Sequence, residues 1–163
     1  MKKILFVCHG NICRSPMAEY IFKDMVEKAG RGSEFEIASA ATSSEELGNP
    51  VYPPARRILA EHGIGCKGHS AHQITRREYE YYDCIICMDH NNLRNLRYVI
   101  GDDRDGKVSL LMDYTDSPHD VADPWYTGNF EVCYRDIVMG CRALLEAPLL
   151  SPLGEDKGIG NRK

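Results

Sequence analysis

Two side chains near the start of the chain have the types and spacing to attack a phosphate. Cys8 and Arg14 stand six positions apart, enclose His9, Gly10, Asn11, Ile12 and Cys13, and are followed by Ser15. A loop of about six residues can curl so that successive N–H groups form a nest for a tetrahedral oxyanion. If a helix begins where the loop ends, its dipole adds positive potential at the same point. Arg14 would grip two equatorial oxygens through its planar fork, a geometry that Lys cannot copy. The same field favours thiolate over thiol at Cys8 and makes it a nucleophile beneath a bound phosphate. Of the seven cysteines, only Cys8 has an arginine at this offset. In so cysteine-rich a chain the spacing alone is a weak signal, and its placement decides what it means.

The placement follows from the flanking elements. Lys2–Val7 is a short apolar run that fits a strand buried on both faces, and it stops at Cys8. Beyond the loop, Met17, Tyr20, Ile21, Met25 and Val26 recur at helical spacing as far as Gly30. Ser15 is the expected N-cap and Pro16 the expected first helical residue. The loop thus lies at a strand-to-helix transition, where an open parallel sheet binds ligands beyond the carboxyl ends of its strands. Further strands are expected at Phe35–Ala40, Cys84–Met88 and Val108–Met112, and further helices at Pro53–His62, Asn91–Val99 and Phe130–Leu145. This alternation predicts an α/β fold: a single doubly wound domain over residues 1–150, with a four-stranded parallel sheet and helices on both faces. Residues 151–163, SPLGEDKGIGNRK, have too little apolar surface to pack and are expected to form a loose tail.

With 163 residues, 43% hydrophobic and 27% charged, the composition is that of one soluble globule rather than a disordered or fibrous chain. A net charge of −4 supplies no global cationic field for nucleic acid, so any anion site must be local. No segment approaches the roughly 18 apolar residues needed to cross a bilayer, and membrane insertion is not expected. Seven cysteines is an odd number, their spacing is irregular, and the start MKKILFVCHG lacks an apolar signal core. These features point to free thiols in a reducing cytoplasm.

The run Val7-Cys8-His9-Gly10-Asn11-Ile12-Cys13-Arg14-Ser15-Pro16-Met17-Ala18-Glu19 resembles the signature of the low-molecular-weight protein-tyrosine phosphatases. The likeness continues in order through Ser39-Ala40-Ala41-Thr42, Cys87-Met88-Asp89 and Asp123-Pro124-Trp125, and so covers most of the chain. It implies that Cys8 attacks phosphorus in line to form a thiophosphoryl enzyme, while Arg14 holds the equatorial oxygens, with no metal or other cofactor. By the same resemblance Asn11 and Ser15 fix the loop and hydrogen-bond the thiolate, and Ser39 supports them from the end of the second strand. The implied partners are phosphotyrosine-containing proteins, with a cognate tyrosine kinase, and small aryl phosphates serve as substrates.

The leaving oxygen needs a proton, and the late loop offers Asp113, Asp116, Asp120 and Asp123. Spacing does not choose among them. Asp123 is favoured because Pro124 restricts its backbone to an extended form and because Asp-Pro is the general-acid position of the family that the chain resembles. From Val108 to Tyr134 there is no Lys or Arg, so no cation is close in sequence to hold this acid ionised. Trp125 stands where the family more often has Tyr; with Tyr126 it would flank a flat aromatic substrate. His72 stands where many members have Arg, and is expected to face solvent.

Cys13 matches a family cysteine and is expected to trap oxidised Cys8 as a disulfide, making peroxide inactivation reversible. Cys84 and Cys87, three apart on a strand, should point to opposite faces and so fail to chelate one ion. Cys66, His69 and His72 are evenly spaced, but no second half-site accompanies them. Cys133 and Cys141 are expected in the core. Three alternatives share the fold or the pocket. Protein-arginine phosphatases typically carry Thr where this chain has Ile12, and thiol-dependent arsenate reductases relay electrons through additional cysteines. A non-catalytic phosphopeptide-binding module would need neither Cys8 nor Asp123.

Overall fold

The computed structural model describes residues 1–148; the tail expected at 151–163, and the last two residues of the expected domain, lie outside the described residues. Strand β1 (Lys2–Cys8) occupies an interior position of a four-stranded parallel sheet ordered β2-β1-β3-β4, with β2 at Phe35–Ala41, β3 at Cys84–Cys87 and β4 at Val108–Leu110. Ile4, Leu5, Phe6 and Val7 are wholly buried, as a strand covered on both faces requires. Their alternation separates two cores. Ile4, Phe6 and Cys8 pack with Met17 and Ile21 of α1 (Arg14–Lys28) and with Ile137 and Cys141 of α6 (Phe130–Glu146). On the other face, Leu5 and Val7 pack with Tyr79 of α3 (Arg76–Tyr81) and Leu96 of α4 (His90–Ile100). The expected doubly wound architecture is therefore present, completed by α2 (Pro53–Glu61) and the short α5 (Pro124–Thr127). Cys84 and Cys87 do fall on opposite faces, one in each core.

Neighbours β2 and β3 lie on either side of β1, so the loop after Cys8 leaves the sheet where the winding direction reverses. Cys8 itself is in register with Ala41 at the end of β2.

Three local expectations are corrected. Helix α1 begins at Arg14, not Pro16, with Cys13 at its cap and no side-chain cap. Ser15 does not cap because its hydroxyl is engaged by Cys8 and Asn11. Pro16 falls in the first turn, where its missing N–H would lack an intrahelical acceptor anyway. Strand β4 ends at Leu110; Leu111–Tyr114 turns into a 3-10 helix that buries Leu111 and Met112. That turn packs closely on α6, for a Cβ added at Gly140 would lie 2.5 Å from Leu111 Cγ. Helix α3 was not expected, although Thr75 and Glu78 form its capping box, a signal present in the sequence as Thr-Arg-Arg-Glu.

Candidate active site

The loop from Cys8 to Ser15 curls around one left-handed residue. Asn11 has φ 61°, and among non-glycine residues Asn tolerates this conformation best. A left-handed residue within such a loop is the backbone setting in which successive N–H groups can form a nest for an anion. Asn11 is fully buried and its side chain is fully used. Nδ2 donates to Ser15 Oγ at 2.8 Å and to Ser39 Oγ at 3.0 Å, while Oδ1 accepts the His72 amide at 3.2 Å. The Asn11 carbonyl accepts from His69 Nε2 at 2.8 Å.

Cys8 sits on this frame at the pocket floor. Its Sγ lies 3.0 Å from Ser15 Oγ and accepts the Ser15 amide N–H at 3.3 Å. Ser15 Oγ accepts from Asn11 and makes only a long 3.4 Å bond to the Ala40 carbonyl, so its proton can turn from that carbonyl to the nearer sulfur once the thiol ionises. Behind Asn11, Ser39 donates to Glu19 Oε1 at 2.6 Å, and Glu19 Oε2 accepts from Lys23 at 2.6 Å. The motif by itself gives Glu19 no role; its burial and the Lys23 one turn later are the signals that mark it.

Arg14 is buried at 2% exposure and held from three directions. Nη1 donates to Asp89 Oδ2 at 2.6 Å and to the Val121 carbonyl at 2.8 Å, while Nη2 lies 3.4 Å from Asp123 Oδ2. Burial works against the guanidinium charge, but Cys8, Asp89 and Asp123 outweigh it and hold the group protonated. Asp89 was part of the motif but had no assigned role. It also caps α4, with Oδ1 accepting the Asn92 amide.

Of the four aspartates, Asp123 alone meets Arg14. Asp123 Oδ1 accepts the Trp125 amide at 3.0 Å, which ties the carboxylate to the start of α5. Asp120 pairs instead with His90 at 2.8 Å, and Asp113 and Asp116 line a separate surface cavity beside α6.

Cys8, Arg14 and Asp123 line one cavity of about 110 Å³. His9, Gly10, Ile12 and Cys13 continue its loop side, and Trp125 and Tyr126 stand at the opposite wall. Asn11 and Ser15, within the loop, and Ser39 beyond it bond to one another and do not line the cavity. Trp125 leans on Tyr52, ring centroids 4.9 Å apart, and Tyr52 in turn lies 6.0 Å from Phe130. Two wall residues had not been anticipated: Glu45, paired with His9 at 3.0 Å, and Glu46. Cys13 is buried, and burial followed by Cys8 and Asp123 pushes its thiol well above the ordinary range.

His72 is half-buried rather than free in solvent, with Nε2 donating to Glu78 Oε2 at 2.8 Å. Among the described residues no three His, Cys, Asp or Glu side chains converge as metal ligands, and His69 and His72 are directed to Asn11 and Glu78. No helix among these residues is long and apolar enough to cross a membrane.

A family model described as low molecular weight phosphotyrosine protein phosphatase matches residues 3–156. The low molecular weight protein-tyrosine-phosphatase YfkJ of Bacillus subtilis is 40% identical over 147 residues, covering 89% of this chain and 94% of its own. The human low molecular weight phosphotyrosine protein phosphatase is 39% identical over 150 residues, again 89% of this chain and 94% of its own. The crystal structure of YfkJ superposes with a TM-score of 0.86, covering 90% of this chain and 93% of that one.

Proposed function

Because the chain belongs to the low molecular weight phosphotyrosine protein phosphatase family, and is accordingly a protein-tyrosine phosphatase, we propose that it hydrolyses phosphotyrosine through a phosphate carried on Cys8. The observation that carries this reading is the convergence on one cavity of Cys8 Sγ, bonded to Ser15, with the buried Arg14 and the carboxylate of Asp123.

In the first step the Cys8 thiolate attacks phosphorus, the Sγ–P bond forms and the bond to the aryl oxygen breaks. Asp123 gives that oxygen its proton. Since Nη1 of Arg14 is committed to Asp89 and Val121 and one Nη2 proton faces Asp123, the Nε donor and the other Nη2 donor are those left for the equatorial oxygens. Loop N–H groups and Arg14 are held in place before the charge develops, so little reorganisation is needed in the transition state. In the second step Asp123 takes a proton from water as it attacks phosphorus, the Sγ–P bond breaks, and inorganic phosphate leaves. No metal is needed in this sequence.

Trp125 and Tyr126 suit a flat phenyl ring, and the apolar Ile12 wall favours an aryl over a guanidinium substrate. Such substrates are phosphotyrosine-containing proteins, which require a tyrosine kinase to make them; small aryl phosphates fit the same slot. Seven unpaired, buried thiols suit the reducing cytoplasm. Cys13 shares the cavity with Cys8 and serves as its guard. Peroxide converts the Cys8 thiolate to sulfenic acid, and the Cys13 thiol then forms a disulfide with it, releasing water.

The reading is tested by phenol release from an aryl phosphate in EDTA. Wild type turns over without divalent metal and Cys8→Ser does not; hydrolysis that persists in the variant, or that requires a metal, overturns the mechanism.

A further inference from the structure

Among the described residues the donor to Asn11 Oδ1 is the His72 amide, and this decides which way the buried amide points. Turned over, the Asn11 amide would set its NH₂ against an N–H and present its oxygen to Ser15 and Ser39. Ser15 Oγ would then lose its Asn11 donor and turn its proton to the Asn11 oxygen, away from Cys8. The position of one backbone N–H therefore reaches the nucleophile through three successive hydrogen bonds, by way of Asn11 and Ser15.

That N–H belongs to a strap, residues 69–74, laid across the loop and the end of β2. The His72 carbonyl accepts the Ala41 amide at 2.8 Å, Ile74 donates to the Ala41 carbonyl at 2.8 Å, and His69 donates to the Asn11 carbonyl. At the far side the His72 ring is tied to Glu78, whose other oxygen accepts the Thr75 amide within the α3 capping box. Building on the function proposed above, we propose that His72 is a positioning residue for the nucleophile: paired with Glu78, it holds the strap in the place where its amide orients Asn11, and through Asn11 and Ser15 keeps Cys8 in its reactive form.

The charged groups facing His72 are Glu78 from α3 and Glu19 from α1. The hydrogen bond to Glu78 raises the imidazole above its ordinary range against the opposing effect of burial, and the charges of Glu78 and Glu19 add to it. Burial pushes Glu78 up, but the His72 partner outweighs it and the net direction is down. The tether is thus an ion pair while His72 is protonated, and it loses that charge as pH rises through a His72 titration that Glu78 holds above the ordinary range. An arginine at this position would keep that charge throughout.

The experiment compares wild type, His72→Ala, His72→Arg and Glu78→Gln by two readouts across pH. One is iodoacetate alkylation of Cys8, scored by mass on the Cys8 peptide as the fraction that inorganic phosphate protects. The other is kcat on an aryl phosphate. His72→Ala and Glu78→Gln should move the alkylation midpoint to higher pH and lower kcat roughly fivefold, as expected for one weakened hydrogen-bond link, with KM little changed. His72→Arg should restore both and exceed wild type progressively toward alkaline pH. An unmoved alkylation midpoint in His72→Ala, or an arginine variant no better than the alanine one, overturns the proposal. If wild type fails to hydrolyse the aryl phosphate, the proposed function falls, and Cys8 alkylation still reads the positioning by itself.

Discussion

Asp89 grips Arg14 with one carboxylate oxygen and the first turn of α4 with the other: Oδ2 lies 2.6 Å from Nη1, and Oδ1 accepts the Asn92 amide at 2.7 Å. The end of the third strand thereby aims an arginine that belongs to the loop after the first.

Removing that carboxylate leaves a buried cation short of its nearest counter-charge and uncaps α4. Asp89→Ala should lower the free energy of unfolding by about 3 kcal/mol, read from urea midpoints at unchanged slope. Asp89→Asn keeps a good N-cap and should lose less stability, yet reduce kcat/KM on an aryl phosphate roughly tenfold because Arg14 is less firmly aimed. Equal kinetics in Asp89→Asn and wild type would show that Val121 and Asp123 suffice to hold the guanidinium.

Asp123→Ala should reduce kcat on phenyl phosphate by roughly 10²–10⁴-fold with KM little changed. A nitrophenyl ester, whose oxygen leaves without needing a proton, should lose less. A uniform loss on both esters would assign Asp123 to holding Arg14 rather than to proton transfer.

Cys13→Ser should react with peroxide as wild type does but recover far less activity on adding dithiothreitol, because the sulfenic acid at Cys8 has no thiol to trap it. Mass analysis of the peroxide-treated wild type should find a Cys8–Cys13 disulfide. Full recovery of the serine variant is the result that removes the guard role.

Gly140→Ala tests packing far from the chemistry. The added methyl would meet Leu111 Cγ at 2.5 Å and Cδ2 at 2.9 Å, so α6 or the 3-10 turn must shift. A loss of about 1–3 kcal/mol is expected in chemical denaturation, with kcat unaltered.

The parts of this molecule that could be read from its residues are those coded contiguously. An apolar β1, the Cys8–Arg14 loop and a helical repeat after it stand side by side, and together they place the nucleophile at the end of a strand. Helix α3 was harder, since Arg76–Tyr81 buries only Tyr79 and has no apolar period to betray it. Ser15 looked like a cap because local preference favours one there, and the demands of Cys8 and Asn11 overrode that preference. Contacts between distant segments were beyond reach. Arg14 finds Asp89 75 positions away and Asp123 109 positions away, and nothing in their spacing announces either pairing. His72 shows the same limit, because its amide rather than its ring touches Asn11.

With a hydrogen-bonded neighbour on each side, β1 has no edge to fray. Its amides open to solvent only when the whole sheet comes apart, so their deuterium uptake should follow the global unfolding equilibrium, whereas the rim of the cavity exchanges on its own schedule. Anchored at the end of that strand, the backbone of the nucleophile keeps its place while the rim moves, and the thiol meets reagents only through the cavity it lines.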